Sequence, residues 1–320
     1  MKWIFGAVAG WAMVLLCATN AFAQSSVRIL VGFPAGGAPD LVARAFAETL
    51  RQKDGTNVIV ENRTGASGKI AIDALFAQPA DGLTLAVIPS TIMVLLPLTI
   101  KSAHFDAAKD FTTVGNLAEY GFGVAAGPGL PVTDFTSFQT HVRQNKSPLN
   151  YGTPGPGTPQ HFLGTQLRKD LGGDLVHVPY RGGAVAMGDL LGGHIPLIIT
   201  TEQLLVPMHK DGKLKTLFVT SHVRNKQMPD VPTVREIGLP NLEAEDWFGL
   251  FMRKDAPPQI VDVWRKRLVD VLAMPAYQDA IKATGYVVPA RQAEDFSKII
   301  GNDAAAWAER VKISGFEVTD

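Results

Sequence analysis

The chain has 320 residues, with 30 basic and 30 acidic side chains, 46% hydrophobic residues and one cysteine. So even a charge balance argues against a nucleic acid or an anionic membrane as partner, because both demand an excess or patch of Lys and Arg. A single cysteine, Cys17, leaves no internal disulfide and no zinc-thiolate centre.

Lys2, the apolar run from Trp3 to Ala18 and the small-x-small stretch Ala21-Phe22-Ala23 spell a secretory signal, with cleavage expected before Gln24. The run is shorter than the roughly 20 residues of a spanning helix and contains Gly6 and Gly10. A lipid on Cys17 is disfavoured by the bulky Leu16 before it. Cleavage removes Lys2 alone among the charged residues, which leaves 29 basic against 30 acidic and a net of −1. The expected product is a soluble secreted chain without cysteine, long enough for two domains.

From Val27 short runs rich in Val, Ile and Leu alternate with Gly/Pro turns and amphipathic stretches. Val27 to Phe33, Asn57 to Val60 and Leu83 to Ile88 read as buried strands, with helices over Asp40 to Arg51 and Lys69 to Ala77. The pattern resumes with strands at Gly121 to Ala126, Leu149 to Gly152, Leu175 to Val178, Ile195 to Ile199 and Thr216 to Thr220. Such alternation implies two α/β units built on parallel sheets. Asn225 to Asn241, with three prolines, reads as an irregular connection, and Asp246 to Met252 as one more strand. Helices follow over Pro258 to Ala273, Ala276 to Thr284 and Ala290 to Ser314. Three helices build no sheet domain alone, so they are expected to return to the first unit, which makes the chain cross between lobes at least twice. The division expected is 1–23 signal, 24–122 with 223–320 as the first lobe, and 123–222 as the second.

Two strand-to-helix turns carry the functional signal. In Val31-Gly32-Phe33-Pro34-Ala35-Gly36-Gly37-Ala38-Pro39-Asp40, glycines let the backbone approach a ligand, and the helix start offers unpaired N–H groups suited to a carboxylate or phosphate. The second, Tyr151-Gly152-Thr153-Pro154-Gly155-Pro156-Gly157-Thr158-Pro159-Gln160-His161, adds two hydroxyls. Neither is a dinucleotide fingerprint or a P-loop. Either alone reads equally well as a plain turn; together, at matching places in two repeated units, they describe a clamp.

A third turn, His177-Val178-Pro179-Tyr180-Arg181-Gly182-Gly183, offers a tempting histidine, but no GxSxG elbow accompanies it and Gly65-Ala66-Ser67-Gly68 has the wrong spacing. A packed or surface histidine is the better reading, and Arg181 reads as either a structural ion pair or a lobe-closing contact, with the structural pair favoured. The histidines show no metal-ligand spacing. Capture of a ligand rather than catalysis is therefore expected, with neither cofactor nor metal; a cleft hydrolase or transferase is the second class. Phe248, Phe251, Met252, Trp264 and Trp307 read as core; Trp247, in a crossing strand next to Asp246, reads as core first and as a cleft contact second.

With those residues laid out, the chain resembles the Bug family of periplasmic receptors, the substrate-binding component of tripartite tricarboxylate transporters. The landmarks are Phe33-Pro34-Ala35-Gly36-Gly37 with Asp40, Val60-Glu61-Asn62-Arg63, Ala80-Asp81-Gly82-Leu83-Thr84-Leu85 and Lys109-Asp110-Phe111. His177-Val178-Pro179-Tyr180, Asp189-Leu190-Leu191-Gly192-Gly193, Pro229-Asp230-Val231-Pro232-Thr233 and Trp247-Phe248-Gly249 complete them, so the similarity spans the mature chain.

The resemblance implies a two-lobed α/β binding-protein fold of type II, hinged around a cleft, that closes on a small carboxylate and delivers it to membrane permease subunits. A role as ligand-loaded partner of a sensor ectodomain shares the same site. The ligand-binding set expected is Phe33, Ala35, Gly36, Gly37, Ser90, Thr153, Gly155, Gly157, Thr158, Thr200 and Thr201. Relatives often carry an Asp-Asn pair where this chain has Thr200-Thr201, and a small polar or glycine-rich run where it has Ala38-Pro39 and Pro154, Pro156 and Pro159. Losing that Asp favours a dicarboxylate, hydroxy acid or aromatic acid over an amino acid, unless Glu202 turns inward; an exposed Glu202 in the first turn of a helix is the expectation.

Overall fold

The computed structural model describes residues 26–65, 68–103, 105–145, 147–289 and 293–318. The expected signal segment, its cleavage point before Gln24 and Cys17 lie outside the described residues, as do Ala66 and Ser67.

The elements run β1 (Val27–Val31), α1 (Ala38–Asp54), β2 (Val58–Asn62), α2 (Lys69–Phe76), β3 (Thr84–Pro89), a π-helical turn (Thr91–Leu95), α3 (Leu96–Thr99) and β4 (Phe111–Ala126). There follow α4 (Phe135–Gln144), β5 (Leu149–Thr153), α5 (Pro159–Leu171), β6 (Leu175–Pro179), α6 (Gly183–Leu191), β7 (Leu197–Thr201), α7 (Glu202–Lys210) and β8 (Lys215–Val219). A 3₁₀ turn (Pro240–Leu242), β9 (Glu245–Arg253), α8 (Pro258–Leu272), α9 (Pro275–Ala283) and α10 (Ala293–Ser314) complete the chain.

β4 organises the fold. Its first part, Phe111 to Gly121, pairs with β9, next to β3, β1 and β2. Its last part, Phe122 to Ala126, pairs with β7 on one edge and β8 on the other, and β7 continues to β5 and β6. One strand thus belongs to two strand groups and passes between them at Gly121. Each group is mixed rather than purely parallel: β9 runs antiparallel to β3, and β4 antiparallel to β7 and β8. The central strands are apolar on both faces because helices cover both; all six residues of β3 are buried.

β4 is longer than the expected Gly121 to Ala126. Register shifts at Thr113/Gly115 and Asn116/Ala118 break the alternation over its first ten residues, so no strand pattern is visible there. β7 ends two residues later than expected, which places Thr200 and Thr201 inside the strand.

The connection after β8 packs against the second group: Met228 and Val231 share a cluster with Ile198, Leu205 and Val219. Val219 N–H donates to Pro232 O and Val234 N–H to Val219 O, both at 2.9 Å. The chain returns to the first group near Ala244, whose N–H donates to Thr220 O at 3.1 Å.

Of the terminal helices, α8 and α9 pack on α1 and the first strand group, as expected. The last one straddles both groups: α10 touches β4 and α5, and Phe316 just beyond it packs its ring on His161 and Phe162 of α5. Arg310 of α10, lying over the Trp307 ring at 4.7 Å, donates to Asn241 O and Glu243 O at 2.9 and 2.7 Å, which ties the returning segment to the helix.

Candidate functional site

Strand register decides which loops face each other. Val31 pairs with Val87 and Pro89 with Phe248, so the ends of β1 and β3 and the start of β9 share one edge of the first group. Thr153 pairs with Pro179 and Gly152 with Ile198, so β5, β6 and β7 end together on the second group. β4 passes from the first edge at Tyr120 to the second at Phe122. Loops leaving these edges flank the crossing, the place where open α/β sheets hold ligands.

On the first edge, Gly36 has φ +80°, which an L side chain adopts only under strain. The Gly36 N–H is already taken: it donates to Asp40 Oδ2 at 2.8 Å. Gly37 N–H donates to Pro34 O at 3.1 Å, and Phe33 O accepts from Asn62 Nδ2 at 2.9 Å. Asp40 is buried and also accepts from Arg44 Nε at 2.9 Å and Asn62 Nδ2 at 2.8 Å. Burial pushes its pKa up, but the Arg44 hydrogen bond, the Gly36 amide and Asn62 together hold it below the ordinary value. Among the described residues the amides of Ala35 and Ala38 have no acceptor. The turn keeps open donors, but not the two glycine amides expected.

On the second edge, Thr158 caps α5 through its hydroxyl, accepting from His161 N–H at 3.4 Å while donating to Gly155 O at 2.8 Å. Thr153, fully buried, donates to Gly155 O at 3.2 Å and lies 2.6 Å from His177 Nε2. Gly157, at φ +70°, donates its N–H to His161 Nδ1 at 3.3 Å. The two imidazoles stack with centroids 4.1 Å apart. Burial, reinforced by His161, depresses His177 to about 4, and burial also lowers His161, so both rings are neutral at pH 7. His177 is thus a packed residue that braces the turn, as the sequence suggests. Arg181, by contrast, is exposed and makes no ion pair among the described residues, contrary to the expectation of a structural pair.

Thr200 is 0% exposed, its Oγ1 has no hydrogen-bond partner among the described residues, and Gly183 lies beside it. Thr201, half-buried, immediately precedes α7. Glu202 corrects an expectation: it is only 4% exposed. Its carboxylate accepts from Ser221 Oγ at 2.8 Å and Asn225 Nδ2 at 2.5 Å, and a Cβ on Gly121 would overlap Oε1. Burial raises its pKa to about 7 against those hydrogen bonds, with Glu245 adding to the rise. Its place is the crossing between the strand groups, not a solvated helix face; its partners lie some twenty residues away in sequence, beyond any local pattern.

Ser90, buried at the end of β3, accepts from Trp247 N–H at 3.4 Å. Trp247 is core, as expected, with Nε1 donating to Asp303 at 2.8 Å. Asp246, which the sequence marks only as its neighbour, is buried beside Ser90 and Tyr120.

Two hinged α/β strand groups sharing one long strand, with helix-opening turns on both facing edges, define the class of two-lobed solute-binding proteins. Within that class, residues 42–315 match the model of the tripartite tricarboxylate transporter family receptor, and the chain belongs to that family. It is 31% identical over 270 residues to a UPF0065 protein from the gbd 5' region of Cupriavidus necator, covering 84% of this chain and 81% of the relative. The structure of periplasmic binding protein BugD is similar at TM-score 0.72 and 30% identity, over 92% of this chain and 99% of that one. A Rhodopseudomonas palustris protein solved with adipate matches at TM-score 0.75 and 26% identity, over 92% and 98% of the two chains. MatC of the same organism, solved with malate, matches at 0.70 and 26%, over 89% and 98%. Among the described residues no helix is long and apolar enough to cross a membrane.

Proposed function

We propose that this chain is a periplasmic receptor that closes two lobes on a small organic carboxylate and presents it to the membrane permease subunits of a tripartite-type transporter. The observation that carries the reading is the pair of glycine turns on facing sheet edges, each opening a helix, with Ala35, Ala38 and Thr200 holding unpaired polar groups. Family membership supports it, as do the adipate and malate bound by two structural relatives. The first lobe comprises 24–122 plus the chain after the second crossing, which we place near Ala244 rather than at residue 222 because Met228 and Val231 pack with the second group. Gly121 and Ala244 are the hinge, and Glu202 with Ser221 and Asn225 sits on it. The Ala35 and Ala38 amides and the Thr200 hydroxyl supply the carboxylate's hydrogen bonds, with Phe33, Gly36, Gly37, Ser90, Thr153, Gly155, Gly157, Thr158 and Thr201 shaping the walls. The secreted chain starts near Gln24, which intact-mass analysis of periplasmic material checks.

A thermal-shift panel of aliphatic, hydroxy and aromatic carboxylates tests the capture. A true ligand at 100 times its Kd stabilises by about 2.7 kcal/mol. No shift with any carboxylate would sink the reading. Co-purification with permease subunits in the ligand's presence tests delivery.

A further inference from the structure

Asp246 lies in register with Tyr120, one residue before the crossing at Gly121, and on the same edge from which the Phe33 to Gly37 turn leaves. It is 1% exposed. The Tyr120 hydroxyl donates to Oδ2 at 3.1 Å, while Oδ1 is buried with no hydrogen-bond partner among the described residues. Among the described residues no Lys or Arg pairs with it. The nearest acid to act on it, Asp303, adds negative charge. On its flank Tyr120, Phe248 and Tyr286 form a packed aromatic trio with centroids 5.3 to 5.4 Å apart.

An apolar residue would fill this position without cost, whereas a buried carboxyl with an orphaned oxygen is destabilising unless something pairs with it. The hydroxyls around it are donors, so the group is set up as an acceptor. What is missing is a positive charge, and a second carboxylate beside it would be repelled.

We propose that Asp246 Oδ1 accepts the ammonium group of the ligand, which makes the receptor selective for carboxylates that also carry an amine. The inference rests on the carboxylate capture proposed above and names its specificity-determining residue. Burial raises the Asp246 pKa to about 7, against the pull of Ser90 and Tyr120; a bound ammonium holds it ionised. The preference is the reverse of the one expected from Thr200 and Thr201 alone.

Calorimetry on the mature chain with matched pairs tests it: succinate and aspartate, glutarate and glutamate, 4-methylpentanoate and leucine, 3-phenylpropanoate and phenylalanine. The amine-bearing member of at least one pair is expected to bind about 30-fold or more tightly than its partner. Asp246→Asn should erase that ratio while leaving the unaminated acid bound as well as before. Asp246→Ser serves the same purpose if the Asn variant does not fold. Preference for the unaminated acid in every pair that binds, or a preference for the amine that survives loss of Asp246, overturns the inference and leaves carboxylate capture standing. Silence across all eight compounds overturns both.

Discussion

The glycine turns that open α1 and α5 look alike in sequence, yet their amides are satisfied in opposite ways. The first recruits a buried carboxylate: Asp40 holds the Gly36 amide, and Arg44 and Asn62 hold Asp40. The second uses neutral groups, the Thr158 hydroxyl and the His161 imidazole, with His177 stacked behind. A helix start attracts anions only through donors that remain free. In the first turn an internal anion already claims part of that attraction, so Asp40 is a structural brace and a brake on ligand binding; in the second no charge competes.

The largest effect that separates the turns is expected at Asp40. Asp40→Ala removes three hydrogen bonds at a buried site and should cost about 3 kcal/mol in urea unfolding; Thr158→Ala, which removes a neutral cap, should cost about 1 kcal/mol. Because the Asp40 pKa is lowered, its share of stability is present above its ordinary 3.8 and lost as pH falls below that value. Equal losses for the two variants would show that the turns are braced alike.

Next come the two positive-φ glycines. An alanine in this conformation costs about 1 kcal/mol, and at Gly36 its Cβ would meet open space. At Gly157 the Cβ would also stand 3.2 Å from Phe316 Cζ, so Gly157→Ala should cost more. The excess should vanish when Phe316→Ala is added, a coupling that a double-mutant cycle on melting curves reads directly. Both glycine variants should weaken binding of the carboxylate found in the panel.

Much of the architecture is legible in the chain because buried parallel strands and glycine turns announce themselves locally. β1, β3 and the two turns are visible for that reason. The first part of β4 is not, since its bulges and Asn116 and Glu119 erase the alternation. Which amides stay free is also invisible, because it depends on side chains such as Asn62, which comes from another strand to hold Asp40. Glu202 and Asp246 read as ordinary acids; only the fold buries them. An acid at the start of an otherwise apolar strand was the one signal available for Asp246.

A pH-dependent effect is expected at the crossing. Glu202 has its pKa raised to about 7 from 4.5, so the folded state holds a proton there that the unfolded chain gives up. Its contribution is fully present below 4.5 and is lost as pH rises through about 7. Glu202→Gln should therefore match the native protein near pH 4.5 and exceed it by about 3 kcal/mol at pH 8. A constant difference across that range would mean the carboxyl titrates normally.

The smallest stability effect, and the sharpest on the second turn, belongs to Thr200. Among the described residues its buried hydroxyl has nothing to bond, so it carries a desolvation cost without return. Valine has nearly the same shape, and Thr200→Val should leave the melting temperature unchanged or slightly raised. If the hydroxyl is kept for the ligand, the same variant should weaken carboxylate binding by about 1 to 2 kcal/mol, roughly 5- to 30-fold. Thr200→Ser, which keeps the oxygen, should retain most of the affinity. A Thr200→Val protein that binds as well as the native one would remove Thr200 from the site and leave the second turn to act through backbone alone.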